Sequence, residues 1–171
     1  LIAPHAGYRF SAPVAAGGYK SLDGYSYKRV IALAFSHRFA STYPGVDVPK
    51  SLTAYRTPLG DVPIDRQACE ELLKSQLYSS HSGIDREEHS LELQLPFLQR
   101  AVSDFKLVPL LVGKMSAQDY AKAAEALLPL LDEETLIVVS SDFTHFGSNY
   151  GYQPFRSDVE AKLTELANQA Y

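Results

Sequence analysis

Five histidines occur in this chain of 171 residues, and three of them stand just past short apolar runs. His5 follows Leu1-Ile2-Ala3-Pro4, His37 follows Val30 to Phe35 and Ser36, and His145 follows Leu136 to Ser141, three residues after Asp142. Neutral imidazole is the commonest transition-metal ligand, and ligands carried on separate strands are held rigidly. His5 and His37 therefore read as a pair of metal ligands, or, more plainly, as loop caps bonded to backbone. Asp142 beside His145 has a second chemistry open to it. A carboxylate orients an imidazole and raises its basicity, which makes a general base. The same pair also fits a metal site, or an Asx turn carrying a surface histidine.

A further cluster is Glu87-Glu88-His89-Ser90-Leu91-Glu92. On a helix Glu88 and Glu92 lie one turn apart, close to the direction of Leu95. Carboxylates beside an apolar stripe cost free energy unless paired, so these two read as facing a polar cleft with His89 on its flank. The alternative is electrostatic, since acidic side chains favour a helix N-terminus. Tyr8 and Arg9 lie near His5 and are candidates for substrate contact; the alternative for Tyr8 is simple packing. His81 sits in a serine-rich stretch and is expected in solvent; Cys69, on an apolar helical stripe, is expected in the core.

These residues need a scaffold. Leu1–Ala3, Val30–Phe35, Phe105–Gly113 and Thr135–Ser141 are apolar runs without alternation, the pattern of strands buried on both faces. Between and after them lie helical patterns: one over Val14–Leu22, with Ser11 as its cap and Pro13 in its first turn; one opened by Asp65; one over Arg86–Val102, interrupted at Pro96; one opened by Ser116; and one from Ser157 with Val159, Leu163, Leu166 and Ala170 on one face. Ser51–Tyr55 and Asp61–Ile64 read as a peripheral hairpin, and Phe39–Lys50 and Tyr78–Asp85 as loops. The alternation predicts an α/β fold of three layers, α/β/α, with a largely parallel or mixed central sheet. If the histidine-terminated strands are parallel neighbours, their imidazoles meet at the carboxyl edge, where such folds place ligands.

Composition narrows the function. The formal charge is −4, which argues against a nucleic-acid or anionic-membrane partner. A single cysteine permits no internal disulfide and suggests a reducing, cytoplasmic setting. No apolar run has the length of about 18 residues expected of a membrane span, and no signal peptide is visible. There is no P-loop, dinucleotide fingerprint, paired-cysteine zinc motif or nucleophile elbow. The reading is of one domain over residues 1–171, cut at both ends.

The motifs also carry a resemblance. Pro4-His5-Ala6-Gly7-Tyr8, Ser36-His37, Tyr55 to Gly60, Glu88-His89-Ser90-Leu91-Glu92 with Leu95-Pro96-Phe97, Leu111-Val112-Gly113 and Ser140 to Gly147 occur in that order. Together they resemble the Memo family, also called AmmeMemoRadiSam system protein B, which is similar in fold to class III extradiol (LigB-type) non-haem iron dioxygenases. The resemblance implies a Memo-like domain whose C-terminal part is missing. It implies His5 and His37 as ligands of iron or another divalent transition metal, with a third ligand outside this segment. It implies His145 as the acid–base, with Asp142 near it, and Glu88, His89 and Glu92 match a characteristic motif of the family; with Tyr8, these three are the candidates for substrate-contacting or supporting residues. The activity implied is that of a metal-dependent oxidoreductase or a vestigial enzyme acting on a small molecule. The alternative is a non-catalytic adaptor that uses the same pocket for a peptide or phosphorylated ligand. A functional partnership with a radical-SAM protein is implied as well.

Overall fold

The computed structural model describes residues 1–38, 42–81, 83–84 and 88–169. The chain divides into two compact units, Leu1–Ser141 and Asp142–Tyr171. Parts of the expected loops at 39–50 and 78–85, the start of the expected 86–102 helix, and Ala170 lie outside the described residues.

In the first unit, the apolar runs form strands β1 (Ile2–Ala3), β2 (Arg29–Phe35), β7 (Lys106–Val112) and β8 (Thr135–Ser140). With β3 (Val46–Asp47) and β6 (Tyr78–Ser79) they make a six-stranded sheet in the order β1-β8-β2-β7-β3-β6. The pairs β1/β8, β8/β2, β2/β7 and β3/β6 are parallel, and β3 against β7 is antiparallel. The sheet is thus mixed, and β1, β8 and β2 are parallel neighbours as the motifs required.

Side chains alternate across this sheet, and each set finds its own core. Val30, Ala32 and Ala34 of β2, with Leu107, Leu111, Leu136 and Val138, pack on one face against helix α1 (Tyr8–Lys20), α3 (His89–Glu92) and α4 (Leu95–Ala101). Ile31, Val108 and Leu110 face the other way, against α2 (Arg66–Leu72) and α5 (Ala117–Leu127). Helices on both faces explain why the strands lack a polar side. Strands β4 (Ala54–Thr57) and β5 (Gly60–Pro63) form the expected hairpin beside the sheet, in register shifted from the spans read in the sequence.

Several boundaries differ from expectation. Helix α1 begins at Tyr8, not Val14; Ser11 lies inside it and donates to Ala6 O, and Pro13 is an interior residue. The 86–102 pattern yields two helices. Leu93 and Gln94 turn between them, and Pro96, lacking an N–H, sits at the start of α4 where none is required. Glu88 precedes α3 as its N-cap and accepts from Ser90 N. The loop expected at 39–50 contains β3, and that at 78–85 contains β6. Asp65 and Ser116 cap α2 and α5 as read, accepting from Ala68 N and Asp119 N.

The second unit holds a short 3-10 turn (Ser148–Tyr150) and helix α6 (Val159–Asn168), with Val159, Leu163 and Leu166 half-buried. Phe146 stacks on Phe155 at 4.9 Å, and Gly147, at φ 126°, closes a bond to Tyr152 O at 2.7 Å. A left-handed φ of this kind is open to glycine without strain.

Candidate metal centre

His5 is buried at the carboxyl end of β1, beside the last residue of β8. Its Nδ1 lies 3.0 Å from Ser140 Oγ. A hydroxyl has one hydrogen, and Ser140 commits it to Ser90 O at 2.6 Å. Ser140 therefore accepts from its other neighbours, Gln94 Nε2 at 2.9 Å and His5 Nδ1. Gln94 is fixed in turn: its amide also donates to Pro4 O at 3.0 Å, and its Oε1 accepts from Tyr19 OH at 2.9 Å. A flipped amide would set oxygen against oxygen at Pro4. This chain of bonds places the proton of neutral His5 on Nδ1 and the basic lone pair on Nε2.

His37 reaches the same result through a charge. Its backbone N donates to Glu88 Oε2 at 2.7 Å and its Nδ1 to Glu88 Oε1 at 2.9 Å. Glu88 is 4 % exposed, and burial alone would raise its pKa. The bonds from Ser90 N, from His37 N and from the His37 ring outweigh burial, so the carboxyl stays below its ordinary value and is ionised. An ionised carboxylate only accepts, so His37 also carries its proton on Nδ1. Carboxylate–imidazole pairs of this kind orient metal-binding histidines and raise their basicity. Ser90 Oγ donates to Phe35 O at 2.7 Å, locking α3 to the end of β2.

His89, half exposed on α3, completes the group. Ring centroids lie 4.6 Å apart for His37 and His89, 5.1 Å for His5 and His37, and 5.9 Å for His5 and His89. A metal–nitrogen bond of about 2.1 Å puts an imidazole centroid about 3.2 Å from an ion, and ligand angles of about 90–110° then separate centroids by roughly 4.5–5.3 Å. Two of the three separations fit that span, and the third asks for a wider angle. Ligand atoms of His37, Glu88 and His89 all lie within 4.8 Å of one another, so this cluster can hold a metal ion. The donors present permit two sets: two histidines and a carboxylate, or three histidines with the carboxylate behind them.

Tyr8 and Glu92 stand beside this group, both lining a cleft with Glu88. Tyr8 OH donates to Leu93 O at 3.2 Å; burial first, and the Glu92 charge second, raise its pKa. In the second unit, His145 Nε2 lies 3.6 Å from Asp142 Oδ2, with Asp142 largely buried and His145 half exposed. His81 departs from its expected place in solvent. Its backbone N donates to Asp47 Oδ1 at 2.7 Å, its Nδ1 lies 3.0 Å from the same oxygen, and Tyr43 packs on its ring at 4.2 Å. The support given by Ser140 and Gln94 was missed, because neither residue type at its position signals a role until the strands are placed.

The first unit thus defines an α/β protein with a histidine-centred candidate metal site at the carboxyl edge of its sheet. The chain belongs to the Memo family, matching Memo-like protein over residues 1–170. It is 33 % identical over 168 residues to the MEMO1 family protein C4H3.04c of Schizosaccharomyces pombe, covering 93 % of this chain and 53 % of that one. It is 36 % identical over 160 residues to Protein MEMO1 of Homo sapiens, covering 89 % and 52 %, and 36 % identical over 166 residues to Protein MEMO1 of Danio rerio. The chain spans about half the length of these relatives. Among the described residues no helix is long and apolar enough to cross a membrane.

Proposed function

We propose that the protein is a metal-dependent enzyme of oxidoreductase type, whose ion is held by His5, His37 and His89 with Glu88 outside the ligand set. The observation that carries this reading is the shared tautomer of His5 and His37, each with Nδ1–H tied to a fixed acceptor and the lone pair on Nε2. Glu88 is assigned behind the ligands because Nδ1 and Nε2 point to opposite sides of a ring. A carboxylate holding Nδ1 of His37 cannot also reach an ion on its Nε2. His89 would supply from within this segment the third donor that the resemblance places outside it.

A divalent transition metal, iron among them, supplies Lewis acidity and redox capacity to such a site. The protein's own residues do the rest. Ser140 and Gln94 keep His5 from rotating. Glu88 holds His37 in one tautomer and one orientation. His145, next to Asp142, is the candidate to accept a substrate proton, as the resemblance implies.

Metal analysis of anaerobically purified protein tests this. Near-stoichiometric metal is expected, lost in His5→Ala and His37→Ala and retained in His145→Ala. Protein that stays metal-free when titrated with Fe(II), Zn(II) and Cu(II) contradicts it, and binding of a peptide by metal-free protein would favour the adaptor alternative.

A further inference from the structure

The cleft that Glu88 shares has a shape and charge pattern that identify a ligand class. It encloses about 650 Å³ within the first unit. Its floor is core: Leu91, Leu95 and Leu111 are buried beneath it. Leu59, half exposed at the tip of the β4–β5 hairpin, and Phe97 on α4 add apolar lining. Polar ties fix the hairpin wall. Thr57 Oγ1 bonds Gln99 Oε1, and Gln99 Nε2 donates to Gly60 O at 3.2 Å. A cavity of this size with mostly apolar walls and a few charged groups is what a small organic ligand requires.

The charges set its orientation. Glu88, bonded to His37, and Glu92, on α3 with His89, line the cleft on its histidine side and repel an anion there. Arg56 and Arg100 stand in the lining as well, but they differ. Arg56 gives Nε and Nη2 to Asp61 at 2.8 and 3.2 Å. Arg100, in the last turn of α4 and away from α3, is exposed, and among the described residues no carboxylate pairs with it. A guanidinium beside an apolar cavity is suited to a carboxylate or sulfonate.

We infer that this cleft binds an organic anion with an apolar body, its anionic group at Arg100 and its neutral or hydrogen-bond-donating end toward Glu88 and Glu92. That this ligand is also the substrate rests on the metal reading above; the binding itself does not.

Two fluorescent probes test it on the full chain: the aromatic sulfonate 8-anilinonaphthalene-1-sulfonate and its uncharged relative N-phenyl-1-naphthylamine. One site per chain is expected for each. Arg100→Gln should weaken the sulfonate at least tenfold and the neutral probe less than twofold, with Arg100→Lys recovering part of the loss. Ala12→Trp, which fills the cleft from α1, should block both probes while metal content stays at the wild-type level. The inference is overturned if the probes do not bind, if Arg100→Gln weakens both equally or neither, or if Ala12→Trp leaves binding intact. It is also overturned if sedimentation shows a dimer that Ala12→Trp dissociates, since a second copy would then fill the cleft. Protein that binds the probes as expected but never takes up metal would sink the metal reading and leave this one standing.

Discussion

Glu88 grips His37 at two points, its Oε2 on the backbone N–H at 2.7 Å and its Oε1 on Nδ1 at 2.9 Å. The two residues are 51 apart in sequence, and the contact joins the end of β2 to the start of α3. One carboxylate therefore caps a helix, holds a loop and sets an imidazole tautomer.

Glu88→Gln should show this triple role. The amide can face only one of the His37 donors with its oxygen; its NH2 meets the other as donor against donor. Metal affinity should fall about 10- to 100-fold, the usual effect of losing a partner behind a metal ligand. Unfolding free energy should fall by about 1–3 kcal/mol, because a buried donor loses its acceptor. Metal titration and thermal unfolding of the same variant check both. An unchanged affinity would remove Glu88 from the site.

Ser140→Ala tests the support of His5. The change leaves Ser90 O and one Gln94 N–H without their partner, and His5 Nδ1–H without its acceptor. A loss of about 1–3 kcal/mol is expected. Nitrogen NMR of the imidazoles should show His5 no longer held in one tautomer, with His37 unaltered. A His5 spectrum identical to wild type would contradict the assigned bonding.

The opposite face of the sheet makes the protein sensitive to alkali. Burial pushes the Tyr78 hydroxyl, which donates to Ala123 O at 2.8 Å, up to about 12, and likewise the Cys69 thiol to about 12. Both groups are neutral when protonated and harder to ionise folded than unfolded. Stability is therefore full below the unfolded values and falls as pH rises through them toward 12. Denaturant titrations should show stability declining above about pH 9, with a shallower decline in Tyr78→Phe. Cys69 should resist alkylation in native protein at pH 8 and react on unfolding.

Two prolines should respond in opposite directions. Pro13 lies inside α1, where it withholds a helical N–H; Pro96 sits at the start of α4, where none is needed. Pro13→Ala should stabilise by about 1–3 kcal/mol. Pro96→Ala should destabilise by about 0.4–1 kcal/mol through the freer unfolded chain. Equal effects in thermal unfolding would contradict the helix boundaries.

Much of this organisation was legible in the sequence because it depends on local pattern. Unbroken apolar runs marked β1, β2, β7 and β8, and polar residues at their ends marked where His5 and His37 would stand. Pro96 marked the break in the 86–102 pattern. The start of α1 was hidden because Gly7 offers no side-chain cap. β3 and β6, two residues each, form by pairing across the fold, β3 on the edge of β7 and β6 on β3, which no local propensity reveals. His81 was misplaced for the same reason, since its partner Asp47 lies on β3. Glu88 read as an acidic residue near a helix start; its hold on His37 required the tertiary fold.

The most direct measurement is anomalous diffraction at the metal edge from crystals of the iron- or zinc-loaded protein. One ion is expected at about 2.1 Å from Nε2 of His5, Nε2 of His37 and a ring nitrogen of His89, with Glu88 still bonded to Nδ1 of His37. An ion bound by a Glu88 oxygen, or bound without His89, would contradict it.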